Sequence, residues 1–337
     1  MKEATPHFAL VLPGAVARGA YEAGVIQVIA EKDLKIDRIV ATSSGALNGL
    51  AFALGIRTGH VKEMADKLVD AWVAHGGWSD VLNVSGNGLL LGRGISDSTG
   101  LINMMRRIVK PCAGSKKRNV ELRIIVTPLN GVVGNIQRRE ATTYEKIIKF
   151  TGEDLDTPAR LEKVYNVVAA ACALPALFKP VEIPGLGFCV DGGAVNNAPI
   201  KYALEESGVS RIIMPVPFPA VMPHGDWKSG VGLVNHMLEI LINERLYRDL
   251  KEATTVNEEI EKLKELTSNG TISQDQFETV VNALKIRSVE ITQVRPKENF
   301  KSSPFAGFFN RDARVKLIEA GYNAAQTALA DKPQVRI

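Results

Sequence analysis

The sequence predicts an α/β fold with a central, mostly parallel sheet and an appended helical hairpin. Three observations carry that expectation. Two apolar runs, residues 8–12 and 36–40, each pass through a tight small-residue turn into a helical pattern. Further apolar strands occur at residues 188–190 and 286–294. Between these last two, residues 231–285 change to the spacing of amphipathic helices. The 337 residues are enough for a large core. A content of 45% hydrophobic and 23% charged residues excludes global disorder.

The first strand reads Phe8-Ala9-Leu10-Val11-Leu12 and runs into Pro13-Gly14-Ala15-Val16-Ala17-Arg18-Gly19. A helix is expected over about residues 20–31, with Ala20, Ala23, Gly24, Val25, Val28 and Ile29 at core-facing or close-packing spacings. The second strand, residues 36–40, leads into Ala41-Thr42-Ser43-Ser44-Gly45-Ala46. That is the form of a nucleophile elbow, in which a strand turns sharply into a helix and lifts a serine hydroxyl off the sheet edge. The common form is G-x-S-x-G; Gly45 supplies the second glycine and Ala41 stands where the first would be. In an open parallel sheet such strand ends face one crevice. One turn can therefore offer backbone N–H groups and the other a nucleophile. A third strand, Phe188-Cys189-Val190, ends at Asp191-Gly192-Gly193, where a carboxylate can be partly desolvated and still reach over the sheet edge.

Together these three motifs resemble the patatin-like phospholipase family. That family carries a glycine-rich loop with a G-x-R-G-like ending, a G-x-S-x-G elbow and a D-G-G or D-G-A aspartate. Residues 121–131 (ELRIIVTPLNG), 169–181 (AAACALPALFKPV), Asn196-Asn197-Ala198-Pro199-Ile200 and the helix expected over 310–329 are similar to further family segments. The resemblance implies a three-layer α/β/α core over residues 1–230, a helical insertion at 231–285 and a closing strand and helix at 286–337. It also implies Ser43 as nucleophile and Asp191 as its partner in a dyad. Gly14, Ala15 and Val16 then supply an oxyanion hole, with Arg18, Gly19, Gly45, Gly192 and Gly193 as motif positions next to the substrate. The substrate expected is a lipid or acyl ester, with peripheral membrane contact as a further expectation and no cofactor.

A dyad fits the histidines. His7, His60, His75, His224 and His236 all lack an evident triad loop, and the order Ser…Asp with no late His departs from the usual Ser…Asp…His order. An ordinary aspartate is a weak base for a serine, so Asp191 needs burial to raise its pKa. The chain departs from the family at the loop, which reads Gly14-Ala15-Val16 where the family has three glycines. Valine at positive φ would be an outlier. Two alternatives stay open. The loop needs no positive φ at Val16, the outcome we favour from sequence, or it is distorted and turnover is slow. A degenerate member that only binds lipid or a partner is the non-enzymatic rival. Arg18 is read either as a structural tie or as a contact for an anionic head group. A dinucleotide-binding turn is the other rival, and Val16 argues against it where close pyrophosphate approach needs glycine.

The remaining segments are less specific. No run of about 18 uncharged apolar residues exists, so no membrane-spanning helix is expected. The first seven residues lack the pattern of a signal peptide. Cys112, Cys172 and Cys189 are read as reduced thiols in a cytoplasmic protein. No metal-ligand spacing appears. The net charge of +4 includes a cluster of Arg106, Arg107, Lys110, Lys116, Lys117 and Arg118, read as a solvated face and loop in preference to a dock for anionic lipid. No aromatic interleaving supports nucleic-acid binding. Residues 76–100, with Trp78, Leu82 and Leu89-Leu90-Leu91, are read as a cap over the acyl site or a packed loop. Residues 231–266 read as one or two helices, residues 273–284 as the second arm, and the turn at Gly270 as a hairpin turn that only faintly echoes a calcium loop. Phe300, Phe305, Phe308 and Phe309 either anchor the last helix or dip into lipid.

Overall fold

The computed structural model describes residues 8–81, 83–84, 96–108, 118–136, 139–175, 177–205, 209, 211–218, 229–284, 286–298, 300 and 303–330. In chain order the elements begin β1 (Phe8–Leu12), α1 (Gly19–Glu31), β2 (Ile36–Ala41), α2 (Ser44–Thr58), α3 (Val61–His75) and α4 (Trp78–Val81). Two short strands, β3 (Asn83–Val84) and β4 (Ser96–Asp97), precede α5 (Thr99–Ile108) and β5 (Glu121–Pro128). Next come β6 (Val132–Ile136), β7 (Arg139–Thr143), β8 (Lys146–Thr151), α6 (Pro158–Ala171), β9 (Val181–Ile183) and β10 (Gly187–Asp191). The chain ends with α7 (Ile200–Leu204), β11 (Arg211–Pro215), α8 (Gly230–Ser268), α9 (Gln274–Leu284), β12 (Glu290–Val294), α10 (Ala306–Phe309) and α11 (Arg311–Ala328).

The central sheet has the order β12-β11-β1-β2-β5-β10-β9. The run from β12 to β5 is parallel, whereas β10, β9 and β8 run antiparallel to their neighbours. Strand alternation explains the layers. In β1, Phe8, Leu10 and Leu12 enter a core shared with α1, α2, α3, α6 and α11, while Ala9 and Val11 enter a second core with α7 and α8. A strand buried on both faces must be apolar throughout, and β1 is. The architecture is therefore a mostly parallel sheet with helices on both faces, as expected.

The helical hairpin is more closely joined to the fold than its expected appended position suggests. Residues 230–268 form one helix, and Leu246, Leu250 and Ala253 bury against the second face of the sheet. The turn is an ordinary hairpin turn. Ser273 and Gln276 form a reciprocal capping box at the start of α9, with the Gln276 N–H donating to Ser273 Oγ and the Ser273 N–H to Gln276 Oε1. The returning strand pairs only from Glu290, later than the apolar pattern from residue 286 suggests. Asn310 caps α11 by accepting the N–H groups of Asp312 and Ala313.

Other expectations divide. Phe300 packs edge-on against Tyr21, Phe308 joins the core, and Phe309 is exposed. Arg106 pairs with Glu162 on the surface, and Arg107 lies beside His75. Cys172 and Cys189 are free thiols. Leu82, Leu89–91, Lys110, Pro111, Cys112, Lys116, Lys117, His7, His224 and the Trp78 side chain lie outside the described residues. Among the described residues no helix is long and apolar enough to cross a membrane.

Candidate active site

Register alone brings Ser43 and Asp191 together. In the parallel pair, Ala41 of β2 lies beside Ile124 of β5. In the antiparallel pair, Asp191 of β10 lies beside Val126 of the same strand. Two residues past Ala41 is Ser43, so the two side chains stand at one level on either side of the end of β5. Ser43 Oγ donates a 2.7 Å hydrogen bond to Asp191 Oδ2. The other oxygen, Oδ1, accepts the Gly193 N–H at 2.7 Å. Both residues are buried.

The elbow is strained. Ser43 has φ 51 and ψ −134, a conformation that costs a residue other than glycine about 1–3 kcal/mol. Small neighbours allow it: a Cβ on Gly45 would collide with the Leu12 carbonyl oxygen of β1. Beneath the turn, Asn48 of α2 donates to Glu22 Oε2 at 2.8 Å and to the Gly19 carbonyl at 2.9 Å, and its Oδ1 accepts the Trp72 Nε1–H at 2.8 Å. This buried network ties α2 to α1 and α3. Burial pushes the Glu22 carboxyl well above its ordinary pKa. The Cys172 thiol donates to the Ser43 carbonyl at 2.9 Å.

The loop after β1 does take positive φ at Val16, at 55°. The favoured expectation of a loop without it is therefore corrected. The reason lies in what holds the loop. The Gly14 N–H donates to Asn197 Oδ1 at 3.0 Å, and Asn197 Nδ2 donates back to the Gly14 carbonyl at 3.1 Å. The Ala15 N–H donates to Ser44 Oγ at 3.1 Å. Gly14 has no room for a side chain, since a Cβ there would stand 2.5 Å from Asn197 Oδ1 and 2.7 Å from the Ser43 Cβ. With two amides so held, the Val16 N–H is left without a hydrogen-bond partner among the described residues.

Arg18 turns away from this centre into a structural tie. Its Nη2 donates to Glu239 Oε1 of α8 at 2.9 Å, and its guanidinium lies 4.8 Å from the Phe218 ring centroid and 5.8 Å from that of Phe300. Burial lowers its pKa, against the opposing influence of Glu239. Gly19 opens α1, and Gly192 packs against the Ile125 carbonyl, where a Cβ would collide.

Two cavities meet at Ser43 and Asp191. One is a slot of about 540 Å³, counting its open mouth, lined by Leu47, Trp72, Leu101, Met104, Phe178 and Phe308 among others. The other is a wider outer cleft of about 1730 Å³ between the loop, Pro304, Phe305 and the α8 residues Leu241, Ile242 and Arg245. Val16, Leu174 and Leu177 line both. No histidine lines either cavity among the described residues; His60 precedes α3, His75 ends it and His236 lies on α8. Burial raises the Asp191 carboxyl from 3.8 to about 6, against the downward pull of the hydrogen bonds from Ser43 and the Gly193 N–H. A serine hydroxyl hydrogen-bonded to a carboxylate of that basicity, at the floor of apolar cavities, is suited to acyl transfer.

The family model for patatin-like phospholipases matches residues 10–204. The chain belongs to the patatin-like phospholipase family. Solved structures that resemble it include VipD from Legionella pneumophila, at 13% identity and a TM-score of 0.41, covering 97% of this chain and 67% of that one. The type III effector protein ExoU matches at 10% identity and a TM-score of 0.34, covering 99% of this chain and 54% of that one. A complex of ExoU with SpcU from Pseudomonas aeruginosa matches at 16% identity and a TM-score of 0.29, covering 98% of this chain and 67% of that one. No curated protein sequence matches the chain. Within that family, the chain departs from the three-glycine loop at Ala15 and Val16, yet the loop keeps positive φ at Val16. Sequence reasoning placed Asn197 in a family element without giving it a site role, and passed over Ser44 as a loop anchor. The Asn-Asn-x-Pro run was the available signal for the first; the second had none.

Proposed function

We propose that this protein is a lipid acyl hydrolase in which Ser43 is the nucleophile and Asp191 the general base. The observation that carries the reading is the 2.7 Å bond from Ser43 Oγ to Asp191 Oδ2 where the slot and the outer cleft meet. Asp191 accepts the hydroxyl proton as Ser43 Oγ attacks the ester carbonyl. The tetrahedral intermediate collapses, the C–O bond to the alcohol breaks, and Asp191 returns the proton to the departing oxygen. Water then attacks the acyl-enzyme, giving its proton to Asp191; as the bond from the acyl carbon to Ser43 Oγ breaks, Asp191 returns the proton to Oγ and the fatty acid leaves. A base near pH 6 is better matched to this work than an ordinary aspartate.

Of the loop residues Gly14, Ala15 and Val16, the Val16 N–H is the donor free to meet the oxyanion. The Gly14 and Ala15 amides act by holding the loop in shape, through Asn197 and Ser44. One such donor is worth about 2.7–4 kcal/mol in the transition state. The apolar slot takes the acyl chain, and the outer cleft takes the alcohol side of the ester. Contact with a membrane surface by a cytoplasmic protein belongs to the same reading. It is supported by exposed Leu233, Met237, Ile240 and Leu241 on the part of α8 that borders the cleft.

A fluorophosphonate probe tests the assignment. Mass spectrometry should find the adduct on Ser43, absent from Ser43→Ala and kept in Ser44→Ala. A label on Ser44, or none on a folded protein, overturns it; the second outcome favours lipid binding without turnover.

A further inference from the structure

Hydrolysis of a neutral ester leaves one feature of the outer cleft without a task. Among the described residues that line the cleft, only Asp191 and Arg245 are charged, and the rest are mainly apolar. Arg245 lies four residues after Leu241 on α8, so both sit on one helix face and both line the cavity that contains Ser43. Its side chain is half-buried, and among the described residues it has no hydrogen bond or ion pair. Its electrostatic neighbour is Asp249, one turn further on. The Asp249 carboxyl accepts the Ala198 N–H and lines a different cavity, with Lys201, Glu252 and Arg287.

The contrast with Arg18 is instructive. Arg18 occupies the basic position of the family loop, yet it is committed to Glu239 and lies over Phe218 and Phe300. Any anion entering the outer cleft therefore meets Arg245 and not Arg18. Arg245 also lies outside the residues matched by the family model, 10–204. A guanidinium offers donors in a planar fork that fits two oxygens of a phosphate, and it gains more from such a partner in an apolar cleft than in water. A neutral acylglycerol offers this fork nothing of the kind.

We propose that Arg245 binds the phosphodiester oxygens of a glycerophospholipid and so makes the protein prefer phospholipids to neutral acylglycerols. The inference rests on the hydrolase reading. The fork grips the phosphate in the outer cleft while Ser43 faces the ester carbonyl, with one acyl chain in the slot. Arg245 is in this sense a selectivity residue on the helical segment, separate from the acyl-transfer pair.

The test compares the full chain with Arg245→Met and Arg245→Lys. The substrates are dioctanoyl phosphatidylcholine and dioctanoylglycerol, each in nonionic-detergent micelles. The readout is the ratio of kcat/KM for the phospholipid over the diacylglycerol. It should fall about 10–100-fold in Arg245→Met, mainly through KM, as loss of a charge-assisted contact predicts. Arg245→Lys should give an intermediate ratio, because it keeps the charge and loses the fork. If Arg245→Met does not fold, a lowered ratio in Arg245→Lys carries the test. An unchanged ratio overturns the inference. So does an equal loss on both substrates, which marks a structural role. If the wild type hydrolyses neither lipid, the hydrolase reading falls as well; if it hydrolyses both and the ratio ignores Arg245, only this inference falls.

Discussion

Replacing Asp191 by asparagine should make the protein more stable and far less active. Burial holds the folded carboxyl at about 6, above its ordinary 3.8, so ionising it in place opposes folding. The sign follows from proton linkage. Below 3.8 both folded and unfolded chains carry the proton, and Asp191 costs nothing. As the pH rises to about 6 the unfolded chain releases the proton first, and wild-type stability declines. Above pH 6 the full cost applies, about 3 kcal/mol at about 1.4 kcal/mol per pH unit. Asparagine does not ionise. Its oxygen can accept the Gly193 N–H and its nitrogen can donate to Ser43 Oγ, so both positions stay satisfied. Asp191→Asn should thus exceed the wild type by about 3 kcal/mol at pH 7.5 and by only about 1 kcal/mol at pH 4.5. Urea unfolding followed by tryptophan fluorescence at the two pH values measures the difference. On a p-nitrophenyl ester kcat should fall by roughly 10²–10⁴. Wild-type kcat/KM should rise with pH to a plateau above about 6. A variant less stable than wild type at pH 7.5, or a gap that ignores pH, would refute the reasoning.

Two further predictions concern the loop. Val16→Gly should raise unfolding free energy by about 1 kcal/mol, because relief of about 1–3 kcal/mol of strain exceeds the added freedom of the unfolded chain, about 0.4–1 kcal/mol. Its kcat should hold, since the amide already has the left-handed turn of a glycine; a tenfold gain would show the amide to be misdirected. Asn197→Ala removes both bonds to Gly14 and leaves buried backbone groups unmatched, so stability should drop by about 2–3 kcal/mol in denaturant melts. The same variant should lose kcat with little change in KM, and a loss confined to KM would move Asn197 from loop support to substrate binding.

Much of the sheet and the central pair was legible because local patterns fix them. Strand alternation and the small-residue turns at residues 13–19 and 41–46 place Ser43 and the loop, and the apolar run ending at Asp191 places the carboxylate. The long helix was less legible because its apolar residues serve two purposes. Leu246, Leu250 and Ala253 pack on the sheet, whereas Leu233, Met237, Ile240 and Leu241 stay exposed near the cleft. No single stripe runs its length, so one helix reads like two. The Asn197 clamp joins residues 183 positions apart, and the role of Arg245 depends on which helix face borders the cleft. Neither follows from spacing. At Val16 the steric rule disfavouring valine at positive φ is sound, but side-chain bonds to Gly14 and Ala15 impose the turn regardless.

Backbone strain at the elbow also has a measurable sign. Ser43 is held at φ 51 by the crossing from β2 into α2, by Gly45 against Leu12 and by the thiol of Cys172 on its carbonyl. At an ordinary position glycine is less stable than alanine by roughly 0.5–1 kcal/mol, because it has more freedom to lose on folding. At Ser43 the order should reverse. Ser43→Ala keeps a Cβ in a region that costs about 1–3 kcal/mol, whereas Ser43→Gly sheds that cost. Both lose the hydroxyl and its bond to Asp191, so their difference isolates the backbone. Ser43→Gly should melt higher than Ser43→Ala by about 1 kcal/mol. If alanine proves the more stable, the turn relaxes around the substitution, and the hydroxyl is positioned by its bond to Asp191 and not by the backbone.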